Sequence, residues 1–130
     1  MSVARQRLMW LAIAAAIILC GLTWRRPELG LPWTATKYGG SVLWGAMVFF
    51  CVAAVLPRLA LNWVAVFAAF IAALVEFSQL VSFPPLDAFR ATTAGALLLG
   101  RTFDWLDIFA YWGGVAVALC GAGLLSRRLW

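Results

Sequence analysis

Residues 61–81 read Leu-Asn-Trp-Val-Ala-Val-Phe-Ala-Ala-Phe-Ile-Ala-Ala-Leu-Val-Glu-Phe-Ser-Gln-Leu-Val. About 20 mostly apolar residues suffice for a helix to cross a hydrocarbon core, so this run predicts a membrane span. Its one charged residue is Glu76. A charge deep in lipid costs at least roughly 2.5–3.5 kcal/mol, so it needs a partner or a purpose. Gln79 follows three residues later on the same helix face.

Composition carries the reading to the rest of the chain. Of the 130 residues, 65% are apolar and 12% charged, where a soluble domain has about 45–50% and about 25%. A globule of this size buries too little of its surface to hide that much apolar area, so lipid must cover the remainder. Three further apolar runs qualify as spans, from Leu8 to Trp24, Tyr38 to Leu56 and Trp105 to Leu125. Pro57 and Arg58 leave only a short turn before residue 61, which makes the second and third spans an antiparallel hairpin. The stretch from Leu86 to Gly100 is about 22 Å long as a helix, too short for a core of about 30 Å. The expected fold is all-α: a single integral-membrane domain over residues 1–130, a polytopic bundle of four transmembrane helices plus one short re-entrant or interfacial helix.

The N-terminus imitates a signal peptide, with Arg5 and Arg7 ahead of an apolar stretch, but Thr23-Trp-Arg-Arg-Pro-Glu offers no small-x-small cleavage site. An uncleaved first span is expected, with Trp10 and Trp24 as interfacial anchors. These features suggest a multi-pass protein of the bacterial inner membrane. Basic residues are tied between the two sides, five against five, but Arg90 and Arg101 lie beside carboxylates, which favours both termini in the cytoplasm.

The net charge of +5 resides at span ends and in short loops, where it meets lipid headgroups. No basic stripe interleaves with aromatics, so nucleic acid is excluded as a partner. The chain has no histidine, which removes Ser-His and Cys-His nucleophile pairs. Cys20, Cys51 and Cys120 lie in separate apolar runs, so neither a disulfide framework nor a zinc site is expected. No metal, no cofactor and no catalytic residue is assigned.

Four spans bring the polar residues to one end of the bundle. Lys37, Tyr38 and Ser41 start the second span; Glu76, Gln79 and Ser82 end the third. Asp87, Arg90, Thr92 and Thr93 follow, and Arg101, Asp104, Asp107 and Tyr111 open the last. Asp104, Asp107 and Tyr111 share one helix face. The plain reading makes Asp87 with Arg90 and Arg101 with Asp104 interfacial ion pairs, and Tyr111 a belt aromatic. Glu76 and Asp107 differ because both lie within apolar sequence; pairing with Arg90 or Arg101 would offset their cost. Ser41 with Gly45, and Gly114 with Ala118, have the small-residue spacing of close helix contacts.

The motifs Lys37-Tyr-Gly-Gly-Ser-Val-Leu-Trp44, Glu76-Phe-Ser-Gln-Leu80, Leu86-Asp-Ala-Phe-Arg-Ala-Thr-Thr93, Leu99-Gly-Arg-Thr-Phe-Asp-Trp-Leu-Asp107 and Tyr111-Trp-Gly113 resemble, in order, the small bacterial membrane family catalogued as domain of unknown function 2809. The Glu-Gln pair followed by an arginine and an aspartate is more distantly VanZ-like. The resemblance implies an envelope protein with no established reaction, and marks Glu76, Gln79, Asp87, Arg90, Thr93, Asp107 and Tyr111. The family pattern carries an aspartate where this chain has Ser41, so an acidic role there is missing or moved.

The expected ligand-binding set is Glu76, Gln79, Asp87, Arg90, Thr93, Arg101, Asp107 and Tyr111. Together they would form a polar pocket for an amphiphilic anionic molecule, with the arginines on its phosphate or carboxylate. The alternatives are a proton-coupled transporter or transporter subunit, and an intramembrane enzyme using Glu76 and Asp107 as acid and base. Expected partners are membrane lipids, the amphiphilic ligand, and a second copy or another membrane protein.

Overall fold

The structure, a computed structural model, describes residues 2–99 and 104–129, apart from the side chains of residues 97 and 99. It is all-helical among these residues. Four helices are long and apolar enough to cross a membrane: α1 (Val3–Trp24), α2 (Trp33–Val55), α3 (Leu61–Ser78) and α6 (Trp105–Leu129). Two short helices, α4 (Pro84–Arg90) and α5 (Thr93–Leu99), stand between α3 and α6. The protein is a multi-pass membrane protein.

Local chemistry sets the ends. The Ser2 side chain accepts from the Arg5 N–H, an N-cap that starts α1 five residues before its apolar run. Pro32 precedes the first turn of α2; a proline suits that place because the first helical N–H groups have no intrahelical partner. Leu86–Gly100, expected as one helix, begins instead at Pro84 and divides in two. The Thr92 hydroxyl donates to the Phe89 carbonyl and accepts from the Gly95 N–H, so it closes α4 and caps α5. The two then meet closely, since a Cβ on Gly95 would collide with the Phe89 carbonyl.

Helix α2 is the hub, packing on α1, α3 and α6, while α6 also packs on α3. The core lies along these contacts, with Phe49, Val64 and Ala68 fully buried. Small residues let α2 and α6 touch backbone to backbone: a Cβ on Gly45 would strike the Tyr111 main chain, and one on Gly114 the Val42 carbonyl. Trp10 is not the anchor expected at a span end. It is 1% exposed and packs on Phe50 with ring centroids 5.5 Å apart, because the early start of α1 places it two turns inside the helix. Outer faces carry exposed Leu, Ile, Val and Phe side chains throughout, the surface that lipid covers. Cys20 and Cys120 lie there too.

Candidate functional site

The starts of α2 and α6 and the end of α3 meet at one end of the bundle, and their polar side chains join in a single network. Glu76 is its innermost member, at 0% exposure. Its Oε1 accepts from the Asp104 backbone N–H at 2.8 Å, and its Oε2 accepts from the Tyr111 hydroxyl at 3.0 Å. The first contact places a carboxylate at the N-terminus of α6, where unpaired N–H groups and the helix dipole favour negative charge. Gln79 lies at the limit of hydrogen-bonding distance, with Nε2 3.5 Å from Glu76 Oε2.

Asp104 caps α6, accepting from the Leu106 N–H at 2.9 Å. It also accepts from Lys37 Nζ at 2.6 Å and from the Tyr38 hydroxyl at 3.0 Å. The Lys37 ammonium, and after it the Leu106 N–H, hold the Asp104 carboxyl below the ordinary carboxylate range. Asp107 is buried; its Oδ1 accepts from the Ser41 hydroxyl at 3.0 Å, and its Oδ2 lies 4.0 Å from Lys37 Nζ. Lys37 also sits over the Trp33 and Tyr38 rings, 5.1 and 5.3 Å from their centroids.

The expected ligand-binding set therefore divides. Glu76, Asp107 and Tyr111 belong to this network with Gln79 at its edge, and Tyr111 is a buried donor to Glu76 in place of a belt aromatic. Arg90 does not pair with Glu76. Its terminal nitrogens donate to the carbonyls of Val81, at 2.9 Å, and Ser78, so the guanidinium closes the C-terminus of α3, where cations are favoured. Asp87 stands beside it at 3.9 Å and accepts from the Ser82 hydroxyl at 2.8 Å. Gln79, Ser82, Asp87 and Arg90 line an open recess of about 540 Å³. Thr93 is exposed and joins neither group; its neighbour Thr92 makes the local cap. Arg101 lies outside the described residues.

The binding set chosen from the sequence left out Lys37, Tyr38, Ser41 and Asp104, although it placed all four at this end. Lys37 carries a signal that could have found them: a cation bordering an apolar run calls for a counter-charge within reach. In the described network the one ammonium, Lys37, pairs with Asp104 and reaches Asp107, and both Glu76 oxygens are occupied by the protein's own donors. Such an interior locks three helix ends together and leaves little to offer an anion.

Among the described residues no group of three or more His, Cys, Asp or Glu could hold a metal ion. The model of the family described as "Protein of unknown function (DUF2809)" matches residues 30–115. The match takes in the whole network and the recess, and leaves out α1 and the C-terminal part of α6. No solved structure matches the chain.

Proposed function

This chain belongs to the DUF2809 family, and from that footing we propose that it is a membrane-embedded binding protein that takes the polar part of an amphiphilic molecule into the recess between the end of α3 and α4. The observation that carries this reading is the recess itself, polar and open beside exposed Leu80, Val81 and Phe83. Polar lining next to bare apolar surface suits a molecule with one wet end and one greasy end. The Asp87 side chain is 49% exposed and Arg90 only 8%, with its terminal nitrogens already bonded to carbonyls. The charge on offer is thus negative. A head group rich in donors, an ammonium or sugar hydroxyls, suits it better than the anion that the sequence suggested.

The hydrogen-bonded path from partly exposed Lys37 and Asp104 to buried Glu76 and Tyr111 favours a second reading, proton-coupled transport. Against it, the core beyond Tyr111 is Phe49, Ala53, Val64, Ala68 and Val115, so the described path crosses only part of the bilayer. An acid–base enzyme draws no support from a Glu76 that is wholly enclosed.

Native mass spectrometry of protein released from nanodiscs holding equal phosphatidylethanolamine and phosphatidylcholine tests the proposal, since only the first head group donates hydrogen bonds. The unmodified protein retains the ethanolamine lipid in excess, and Asp87→Asn loses that excess several-fold. Equal retention of both lipids by the unmodified protein overturns the reading.

A further inference from the structure

A second cavity shares no lining residue with the recess, and it has the opposite character. It is an almost wholly apolar groove of about 220 Å³ walled by α1, α2 and α5, with Ile17, Leu22, Leu43, Met47 and Leu98 among its lining and Arg25 also on its wall. An apolar cavity of about 150 Å³ already accepts a benzene-sized molecule, so this one admits a stretch of hydrocarbon chain. Gly21 lines it as well, and a Cβ there would meet nothing within 4 Å.

Arg25 is the residue that gives the groove a direction. It follows the last residue of α1 and is exposed. Its guanidinium packs over Gly40, with Nε 3.7 Å and Nη2 3.8 Å from the place a Cβ would take. The neighbouring glycine works the same way: Gly39 admits the Trp24 indole, whose N–H donates to the Ala35 carbonyl at 3.0 Å. Lys37 is held on Asp104 and Arg90 on carbonyls. The Arg25 guanidinium has no hydrogen-bond or ion-pair partner among the described residues. A free, forked cation at the mouth of a greasy slot, level with a helix end, is the arrangement that takes a phosphate above an acyl chain.

We propose that this groove seats one acyl chain of an anionic phospholipid, with Arg25 on the phosphate. The site is separate from the recess at Asp87 and opposite to it in charge preference. Its α1 wall and Arg25 lie outside the family match, which covers residues 30–115.

The test uses the full chain in nanodiscs of mixed phosphatidylglycerol and phosphatidylcholine, with lipid retention read by native mass spectrometry. The unmodified protein retains phosphatidylglycerol in excess. Arg25→Gln reduces that excess about fivefold, the size expected for one basic residue at an anionic lipid surface. Arg26→Gln, with the same change in net charge beside the groove, leaves it unchanged. Gly21→Leu fills open space and also removes a helix-weakening glycine, so it folds, and it displaces the chain of either lipid. Equal losses in Arg25→Gln and Arg26→Gln, full retention in Gly21→Leu, or no phosphatidylglycerol excess in the unmodified protein would each overturn the proposal. Asp87→Asn leaves this preference intact, which separates failure here from failure of the recess.

Discussion

Among the described residues, Glu76 is held by hydrogen-bond donors and not by a cation. The described residues place none within ion-pair distance; the N-terminus of α6 and a tyrosine hydroxyl take that part. Glu76→Ala deprives the Asp104 N–H and the Tyr111 hydroxyl of their acceptor, at about 1–3 kcal/mol for each. Tyr111→Phe deletes one donor only and costs less, about 0.6 kcal/mol and at most ~1.7 by the usual range within membranes. Reversible unfolding in mild detergent checks the order, and equal costs would mean that Glu76 is not the shared acceptor. The sequence made Glu76 conspicuous because its cost can be read from local context. Its partners could not be read that way, because Asp104 and Tyr111 stand 28 and 35 residues further along. Arginine drew attention as the obvious counter-charge, yet Arg90 was taken by a helix end whose open carbonyls no residue pattern announces.

At the scale of elements, helix contacts set what each position tolerates. Gly113 and Gly114 are adjacent in α6 and differ completely: a Cβ on Gly113 meets nothing within 4 Å, while one on Gly114 runs into the α2 backbone. Gly114→Ala therefore pushes α2 and α6 apart and destabilises by about 1–3 kcal/mol. Gly113→Ala is neutral to stabilising, by up to about 1 kcal/mol. Thermal unfolding of the two variants side by side measures the difference. The Gly114–Ala118 and Ser41–Gly45 spacings marked this contact in the sequence, as did the apolar runs for the four spans. Helix ends were less legible, because Ser2, Pro32 and Thr92 set them through one or two local hydrogen bonds or one ring constraint.

For the molecule as a whole, the described ion pairs and most long-range side-chain hydrogen bonds gather at one end. The Lys37–Asp104 bond ties the start of α2 to the start of α6 across 67 positions, and it gives stability a pH dependence of known sign. The fold lowers the Asp104 carboxyl below its ordinary range, so the folded state favours the ionised form. The resulting stability is complete above the unfolded value of about 3.9 and is lost as pH falls through the lower, folded value. Unfolding in detergent followed from pH 6 downward shows this acid loss in the unmodified protein. Asp104→Asn flattens that part of the profile; an unchanged profile would assign the loss to other carboxylates.

The same wiring bears on how the protein is made. A ribosome releases α2 and α3 before it has begun α6. At synthesis rates of about 5–20 residues per second, the 35 positions from Glu76 to Tyr111 take about 2–7 s. For that interval the glutamate, and for about twice as long the lysine, waits beside or within the bilayer before the last helix supplies its partner. The insertion machinery has to shelter them until then, and a chain interrupted before α6 would present both to bare lipid.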